Sequence, residues 1–243
     1  MELLLELLWI LFPVLLVMLL LYMMVAHKKI VWKIVIFIAS FVIIEIMFLY
    51  KQLWWLQGEH RRLDIEFTSD GWILFTLSLI GLLIVVGCIL FQVKLNRYVI
   101  WAGSSIFKSV MYGSIGAIIL IIPVLLLNLH TFGEVPFDGN VTLLISIILF
   151  ILVGKAIEEL IFRGYLQGYL DRLYSPFMSA FITTAIYSLL HLLILILLKE
   201  HYLLASMQSI YIGIVCSFLR YRYGILASTL ANALAIICWY LFI

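Results

Sequence analysis

Two adjacent glutamates and an arginine stand at the end of a long apolar run in this sequence. Glu158, Glu159 and Arg163 follow the run from Val141 to Val153. An ionisable side chain in the middle of a bilayer costs roughly 2.5–3.5 kcal/mol on insertion scales, so such groups require pairing, burial or a function. On an α-helix, Glu159 and Arg163 are four residues apart and can form an ion pair on one face. Glu158 lies about 100° around the helix axis, and we therefore expect one carboxylate to be paired and the other to be free.

Three polar side chains in other apolar segments are candidates to act with the free carboxylate. His191 lies one helical turn after Tyr187, which is placed to orient the imidazole. A carboxylate base and an imidazole together can activate a water molecule, whereas a histidine satisfied by a backbone carbonyl or a hydroxyl is the structural alternative. Asn232 would donate to a developing oxyanion or bridge two helices. Glu45 is either a buried polar contact between helices or part of a substrate or proton path.

The composition identifies the class of protein that must position these residues. Hydrophobic residues make up 66% of the chain and charged residues 12%, against about 25% charged residues in soluble domains. Basic residues are scattered between the apolar runs, so no nucleic-acid surface is expected. Runs of about 20 apolar residues are typical of membrane-spanning helices. The eight runs are Leu3–Ala26, Ile30–Tyr50, Gly71–Gln92, Phe107–Leu127, Val141–Leu160, Phe177–Leu198, Tyr202–Leu219 and Ile225–Phe242.

The sequence therefore predicts an all-α, polytopic membrane helix bundle with about eight transmembrane helices. We divide it into N-terminal helices 1–4 (residues 1–140) and a core of helices 5–8 (residues 141–243). The fifth helix is expected to continue past the membrane edge towards Leu173. The segment Lys51–Asp70 mixes charges of both signs and is interpreted as a solvated loop, with Trp54 and Trp55 at the membrane interface. The apolar N-terminus lacks a basic region and a cleavage site, which indicates a retained helix.

The basic residues favour one side of the membrane. They follow the odd-numbered helices in eleven cases: Lys28, Lys29, Lys33, Lys94, Arg97, Lys108, Lys155, Arg163, Arg172, Arg220 and Arg222. They occur on the other side in four cases: Lys51, Arg61, Arg62 and Lys199. By the positive-inside rule, the odd-numbered connections are cytoplasmic and both termini are outside. The chain is thus predicted to be a multi-pass protein of a cell membrane, with its active site opening to the cytoplasm because the Glu158 end of the fifth helix faces that side.

Three motifs resemble those of the CPBP family, the CAAX protease and bacteriocin-processing (Abi) group of intramembrane proteases. Glu158-Glu159-Leu-Ile-Phe-Arg163 fits the EExxxR motif, and Tyr187-Ser-Leu-Leu-His191 resembles FxxxH with tyrosine in place of phenylalanine. The third motif, HxxxN or HxxxD, departs from the pattern because Asn232 and Ile236 occupy its two defining positions. The resemblance covers about the last hundred residues.

The resemblance implies roles for these residues. Glu158 would be the catalytic base, Glu159 and Arg163 a structural pair, and His191 the group that assists the water. Asn232 would take the place of the missing histidine, as an oxyanion donor. The group is often called metalloproteases, yet catalytic zinc usually has three protein ligands. Only Glu158 and His191 are identified as possible ligands here. Water activation without a metal is therefore the more economical interpretation.

Three classes of function are compatible with the sequence to different degrees. The first is an intramembrane endopeptidase that cleaves a membrane-embedded peptide or protein. In a bacterial member of the group, this peptide processing would serve peptide export, peptide signalling or bacteriocin immunity. The second is a non-catalytic relative that acts as a membrane scaffold, regulator or immunity protein, and the altered third motif favours it. A transporter is the weakest, because the two halves lack a matching pair of helices broken by glycine or proline.

Overall fold

The computed structural model describes residues 2–25, 29–59, 62–127, 140–197 and 203–242. Within these residues, eight helices are between 18 and 23 residues long. The helices are α1 (Glu2–Met24), α2 (Ile30–Tyr50), α3 (Gly71–Phe91), α4 (Val93–Asn96), α5 (Ile106–Leu127), α6 (Val141–Glu159), α7 (Gln167–Leu170), α8 (Pro176–Leu197), α9 (Leu203–Tyr223) and α10 (Ile225–Phe242). The short helices α4 and α7 have four residues each. The predicted all-α membrane bundle is confirmed.

Five stretches of the described chain are long and apolar enough to cross a membrane. They are Ile30–Tyr50, Gly71–Phe91, Ile106–Leu126, Val141–Leu170 and Pro176–Leu197. Shorter apolar stretches occur at Leu15–Met24 in α1 and Ile225–Leu241 in α10. The chain is therefore a multi-pass membrane protein.

The helix that carries the two glutamates is continuous from residue 141 to residue 170, as its predicted extension requires. The Asn140 side chain caps its start by accepting a hydrogen bond from the backbone N–H of Leu143 at 3.1 Å. Directly after Glu159, residues Leu160–Leu166 form a π-helical segment, and α7 completes the helix. π-Helical segments are rare and frequently occur at functional sites.

The last helix, α10, lies in the middle of the bundle and packs against α5, α6 and α9. Small residues allow this close approach: a Cβ atom added to Gly113 of α5 would be 2.9 Å from the Ala227 carbonyl oxygen, and one added to Gly116 would be 2.9 Å from the Ala231 Cβ. A single residue, Gly224, connects α9 to α10 with φ = +81°, a conformation that costs glycine little. Asn232 is consequently buried at the centre of the molecule.

Residues 51–70, which the sequence analysis predicted to be a loop, contain a β-hairpin in their described part. Strands β1 (Trp54–Glu59) and β2 (Arg62–Phe67) pair antiparallel, with Trp54 opposite Phe67. The Phe67 ring packs edge-on against Tyr240 of α10 at 5.3 Å between centroids. Ile65 and Phe67 alternate with Asp64 and Glu66, which is the period of a strand with one buried face, and the mixture of charges obscured this alternation.

The hairpin marks one end of the bundle, which we call the hairpin end. Four helices end there, namely α2, α5, α8 and α10, and three begin there, namely α3, α6 and α9. For example, Gly71 at the start of α3 meets Leu143 at the start of α6. We call the opposite end the basic end. It contains the connection from α4 to α5, which pairs with the end of α9 through the backbone bond from Gly103 N–H to the Tyr223 carbonyl oxygen at 2.8 Å.

Candidate active site

The glutamate pair and its arginine are among the most deeply buried residues of the protein. Glu158 is 1% exposed, and Glu159 and Arg163 are 0% exposed. They lie at the junction of α6 and the π-helical segment, halfway between the two ends of the bundle. Charged groups at such a depth require partners, and the partners differ for the two glutamates.

Glu159 forms the ion pair that its spacing predicted. Its Oε1 lies 3.3 Å from Nη1 of Arg163, four residues later. The guanidinium group also lies over the Tyr187 ring, 4.1 Å from the ring centroid. This cluster of one carboxylate, one guanidinium and one aromatic ring is enclosed by protein, which suits a structural role.

Glu158 is not the free carboxylate that we expected. Lys155 Nζ donates a hydrogen bond to its Oε2 at 2.6 Å in an ion pair across one helical turn. Its Oε1 accepts bonds from the Tyr187 hydroxyl and the Asn232 amide, each at 2.9 Å. The expectation was wrong because it considered only the i, i+4 partner, whereas residues three apart also face each other on a helix. A carboxylate has about four acceptor positions, so one position remains for a water molecule.

Asn232 occupies a position that does not suit the predicted oxyanion role. Its Nδ2 donates to Glu158 Oε1 at 2.9 Å and to Glu159 Oε1 at 3.1 Å. An amide nitrogen carries two hydrogens, and both are therefore used by the carboxylates. The geometry contradicts an oxyanion donor at this position and makes Asn232 the bridge between α10 and α6.

His191 is oriented by Tyr187, as predicted, through the backbone as well as through the ring. Its Nδ1 lies 3.0 Å from the Tyr187 carbonyl oxygen, and the two ring centroids are 4.2 Å apart. A carbonyl oxygen can only accept a hydrogen bond, so Nδ1 carries the proton. In the neutral imidazole, Nε2 then carries the lone pair and can accept a hydrogen from water.

The candidate residues meet in one cavity of about 300 Å³. Glu158 and Lys155 reach it from α6, His191 from α8 and Asn232 from α10, and Tyr187 also lines it. Glu45 reaches it from α2 and interacts electrostatically with both Lys155 and Glu158. The cavity thus brings together groups that are more than a hundred residues apart in sequence.

Two of these groups, Lys155 and Glu45, were not assigned to the site from the sequence. Lys155 was counted among the basic residues of a connecting segment, although its spacing of three from Glu158 is a recognisable signal for an ion pair. Glu45 was left open between a structural contact and a substrate path. Only the packing of α2 against the rest of the bundle brings its carboxyl group to the cavity.

A second, larger cavity of about 910 Å³ adjoins the first. Its walls are mainly apolar side chains of α1, α2, α3 and α6. Residues that line both cavities are Glu45, Trp54, Ile65, Lys155 and Ile236. Ile236 stands where the third motif of the family has its second polar residue, so this part of the wall is apolar here.

The donor set does not fit a catalytic zinc ion, which usually has three protein ligands. Among the residues that the structure describes, no group of three or more His, Cys, Asp and Glu side chains could hold a metal. The ammonium group of Lys155 also donates a hydrogen bond to Oε2 of Glu158, one of the two ligand residues that the sequence suggested. We therefore derive no catalytic step through a metal.

Residues 140–237 match a family described as "Rce1-like: Type II CAAX prenyl endopeptidase Rce1-like". The matched segment contains every residue of the three motifs discussed above. The cavity also has walls from α2, the hairpin and α5, which precede the matched segment. No curated protein and no solved structure gives a significant match to the chain.

Proposed function

Residues 140–237 belong to the CAAX protease family, and from this premise we propose that the chain is an intramembrane endopeptidase. It hydrolyses a peptide bond in a membrane-associated peptide or protein. The observation that carries the proposal is the convergence of Glu158, His191 and Lys155 on a single cavity inside the bundle. These groups supply an acceptor for a proton, a second acceptor that orients the water, and a cation for the negative charge that develops in hydrolysis.

Glu158 and His191 activate the water molecule. One hydrogen of the water bonds to the carboxylate of Glu158 and the other to Nε2 of His191. The water oxygen attacks the peptide carbonyl carbon while its proton passes to Glu158, and a tetrahedral intermediate forms. The carbon–nitrogen bond then breaks, and the proton moves from Glu158 to the leaving amine, so that the enzyme returns to its starting state.

Lys155 takes the role that the missing histidine of the third motif would otherwise have. Its ammonium group has three hydrogens, of which one is bonded to Glu158. The side chain lines the cavity, where a remaining hydrogen can bond to the carbonyl oxygen as it becomes an oxyanion. Removing one such donor typically lowers kcat about 10²- to 10³-fold.

The apolar cavity supports a substrate with an apolar anchor. It adjoins the catalytic cavity at Glu45 and Lys155, so an apolar group held there would place an attached peptide next to the cation. The family description names a prenyl endopeptidase, and a prenylated peptide is one substrate of this chemistry. A transmembrane peptide that is processed for export or signalling is another.

The proposal is tested by Glu158→Gln, which keeps the size of the side chain and removes its basicity. Membranes from cells that express either form are compared by mass spectrometry of newly formed peptide termini. We expect the variant to reduce cleavage about 10²- to 10⁴-fold, the usual contribution of a general base. The matched control is Glu66→Gln, the same chemical change on a residue outside both cavities. An unchanged set of termini in the Glu158 variant would contradict an endopeptidase.

A non-catalytic relative that acts as a membrane scaffold, regulator or bacteriocin immunity protein is the second candidate. The network around Glu158 favours it, because Lys155, Tyr187 and Asn232 tie together three helices, and buried polar networks can serve to hold helices in place. In that case Glu158→Gln lowers the amount of folded protein, and any biological effect falls in proportion. For the enzyme, cleavage is lost while the protein remains abundant.

A further inference from the structure

We propose that hydrocarbon chains enter the larger, apolar cavity sideways from the bilayer, through a gap between α1 and α3, and that α1 is the movable wall of this side entrance. The substrate would bring its apolar anchor to the catalytic cavity by this route, a statement that rests on the proposed function. The entrance itself does not depend on the chemistry at Glu158. The opening to the cytoplasm expected from the sequence stays a prediction, because a side entrance neither requires nor excludes it.

The four helices around the larger cavity are packed against one another to different degrees. Among the described residues, α1 packs against α2, and α3 packs against α6. No comparable packing joins α1 to α3 in this part of the chain, so the wall of the cavity is interrupted there. On the opposite side, between α2 and α6, Glu45 and Lys155 line both cavities. One interruption of the wall therefore leads to the catalytic cavity, and the other lies between α1 and α3.

Side chains on both edges of the gap face the cavity and the outside of the bundle at the same time. On α1, Phe12 lines the cavity and is 69% exposed. On α3, Phe91 lines the cavity and is 79% exposed. Leu15 and Ile84 combine the same two properties farther along each helix. Lipid tails are as apolar as such side chains, so a hydrocarbon chain meets no polar barrier in the gap.

The larger cavity is long and reaches the level of the catalytic lysine. Gly81 of α3 lies at the level of Lys155, because an added Cβ atom would be 2.7 Å from Val153 and 3.3 Å from Ile157. Gln92, at the basic end of the cavity, follows Gly81 by eleven residues, which corresponds to about 16 Å along a helix. An extended hydrocarbon chain suits this shape, with one end beside Lys155.

Two glycines keep the inner walls of the larger cavity open. A Cβ atom added to Gly87 of α3 or to Gly154 of α6 would meet no side chain and no other element of the described structure within 4 Å. Both residues line the cavity. At Gly113 of α5, by contrast, an added Cβ would be 2.9 Å from the Ala227 carbonyl oxygen, as expected where glycine permits close helix packing. The absent side chains at Gly87 and Gly154 leave room instead.

Helix α1 is attached to its neighbours at the basic end of the gap. The Tyr22 hydroxyl donates a hydrogen bond to the side-chain oxygen of Gln92. The Tyr22 ring also packs edge-on against Phe37 of α2, at 5.9 Å between centroids, and the Lys33 Nζ lies 5.0 Å from the same ring centroid. Towards the hairpin end, Trp9 of α1 is exposed. Tyr22 is thus placed as the pivot of α1, and the part near Trp9 is the part that moves.

A cross-link across the gap tests whether α1 moves. Leu15 and Ile84 lie at about the same level, since they precede the bonded pair Tyr22 and Gln92 by seven and eight residues on helices that run in the same direction. The double variant Leu15→Cys with Ile84→Cys is treated with bismaleimides of increasing spacer length. The matched control is N-ethylmaleimide, which modifies both cysteines without joining them. The three native cysteines are first replaced by alanine, at Cys88, Cys216 and Cys238.

Entry is measured with purified protein in vesicles of phosphatidylcholine that carries a photoactivatable diazirine on its acyl chain. After illumination, mass spectrometry gives the labelling of Ile157 and Ile161, which line the cavity from α6 and its π-helical continuation. The reference is Leu83, an exposed residue of α3 that does not line the cavity. We expect labelling of the inner residues in the N-ethylmaleimide control and a severalfold lower ratio to Leu83 after cross-linking.

Three results would overturn the inference. Labelling of Leu83 without labelling of Ile157 or Ile161 in the control would exclude the side entrance. An unchanged labelling ratio after cross-linking would show that α1 is not the movable wall. Failure of every bismaleimide to join the two cysteines would show that α1 does not lie along α3.

The variant Gly87→Leu provides a second test, which keeps the native cysteines. Leucine fills the space beside Gly87 and should lower the labelling of Ile161 severalfold, whereas Gly87→Ala should leave it close to that of the unchanged protein. Both changes replace glycine within a helix, which favours the helix, so thermal unfolding should occur at no lower a temperature. Equal labelling of Ile161 in the two variants would contradict an acyl chain in this cavity.

Cleavage measured in the same vesicles separates this inference from the proposed function. If the cross-link lowers both the labelling and the cleavage, both are supported. If it lowers the labelling while Glu158→Gln leaves cleavage unchanged, the side entrance is supported and the proposed chemistry fails. If it lowers the labelling and cleavage continues at its full rate, the substrate does not use this route.

Discussion

The two sides of the glutamate pair contain similar residues in opposite surroundings. Towards the basic end, Arg163 and Gln167 are enclosed by protein and are 0% exposed. Towards the hairpin end, Lys155 and His191 line a cavity, and the Lys155 side chain is 20% exposed. One region is thus packed by protein, and the other borders a cavity, which is where the proposed function places water and substrate. The consecutive glutamates fall in different regions because one step along a helix rotates the side chain by about 100°.

The two regions should respond differently to mutation, and the largest loss of stability is expected from Arg163→Ala in the enclosed region. The change leaves the carboxylate of Glu159 buried without its cation, which costs about 3–5 kcal/mol. We expect most of the folded protein to be lost, as measured by abundance in membranes and by thermal unfolding in detergent. Arg172→Ala is the control, because exposed residues change the free energy of unfolding by about 0.5 kcal/mol or less.

The double change Glu159→Gln with Arg163→Met tests whether the unpaired charge is the reason. Removing both charges should recover a large part of the lost stability, because replacing a whole buried pair is often neutral. If the double variant is as unstable as Arg163→Ala, packing against Tyr187 would be the dominant contribution instead.

An intermediate effect is expected from Lys155→Met in the cavity region. Methionine keeps the length of the side chain and removes the ammonium group, so kcat should fall about 10²- to 10³-fold while the protein remains abundant. Steady-state measurement with a cleaved substrate separates kcat from KM. Lys94→Met, at an exposed lysine of the basic end, should leave both parameters unchanged. A raised KM with unchanged kcat would assign Lys155 to substrate binding and would contradict its role as the oxyanion donor.

The smallest effect is expected from Glu45→Gln. This carboxyl group interacts electrostatically with Lys155 and lies outside the three hydrogen bonds to Glu158. We therefore expect it to position the cation without taking part in the chemistry. We expect a loss in kcat of about tenfold or less, which corresponds to about 1.4 kcal/mol. In the Lys155→Met background, Glu45→Gln should have almost no further effect, since residues that act through each other are not additive. Fully additive losses would show that Glu45 acts independently.

The features that the sequence predicted correctly depend on local spacing. The pair of Glu159 with Arg163 follows from four residues on one helix, and the orientation of His191 by Tyr187 follows from the same spacing. The family resemblance also rested on these motifs and was confirmed by the match at residues 140–237. Local spacing also contained the pair of Lys155 with Glu158, which was overlooked because Lys155 was considered only as a flanking charge.

The features that were missed depend on which helices meet. Asn232 donates both amide hydrogens to the two glutamates, and this requires α10 to cross α6 at one particular height. The hairpin was taken for a loop because its charges of both signs obscured the alternation of apolar and acidic residues that is typical of a strand. The cavity is lined by residues of eight helices and strands, so no single motif contained its position.

The sequence by itself determined that this chain is a membrane helix bundle, where most of its helices run, and which residues form the motifs of the matched family. These properties follow from hydropathy and from spacing along one helix, which act over a few turns. The tertiary structure alone decided that Asn232 bridges the two glutamates, that Glu45 joins the site, and that these residues border one cavity. The physical reason is that pairing, burial and empty volume arise between helices, and their values are set only when residues distant in sequence are packed together.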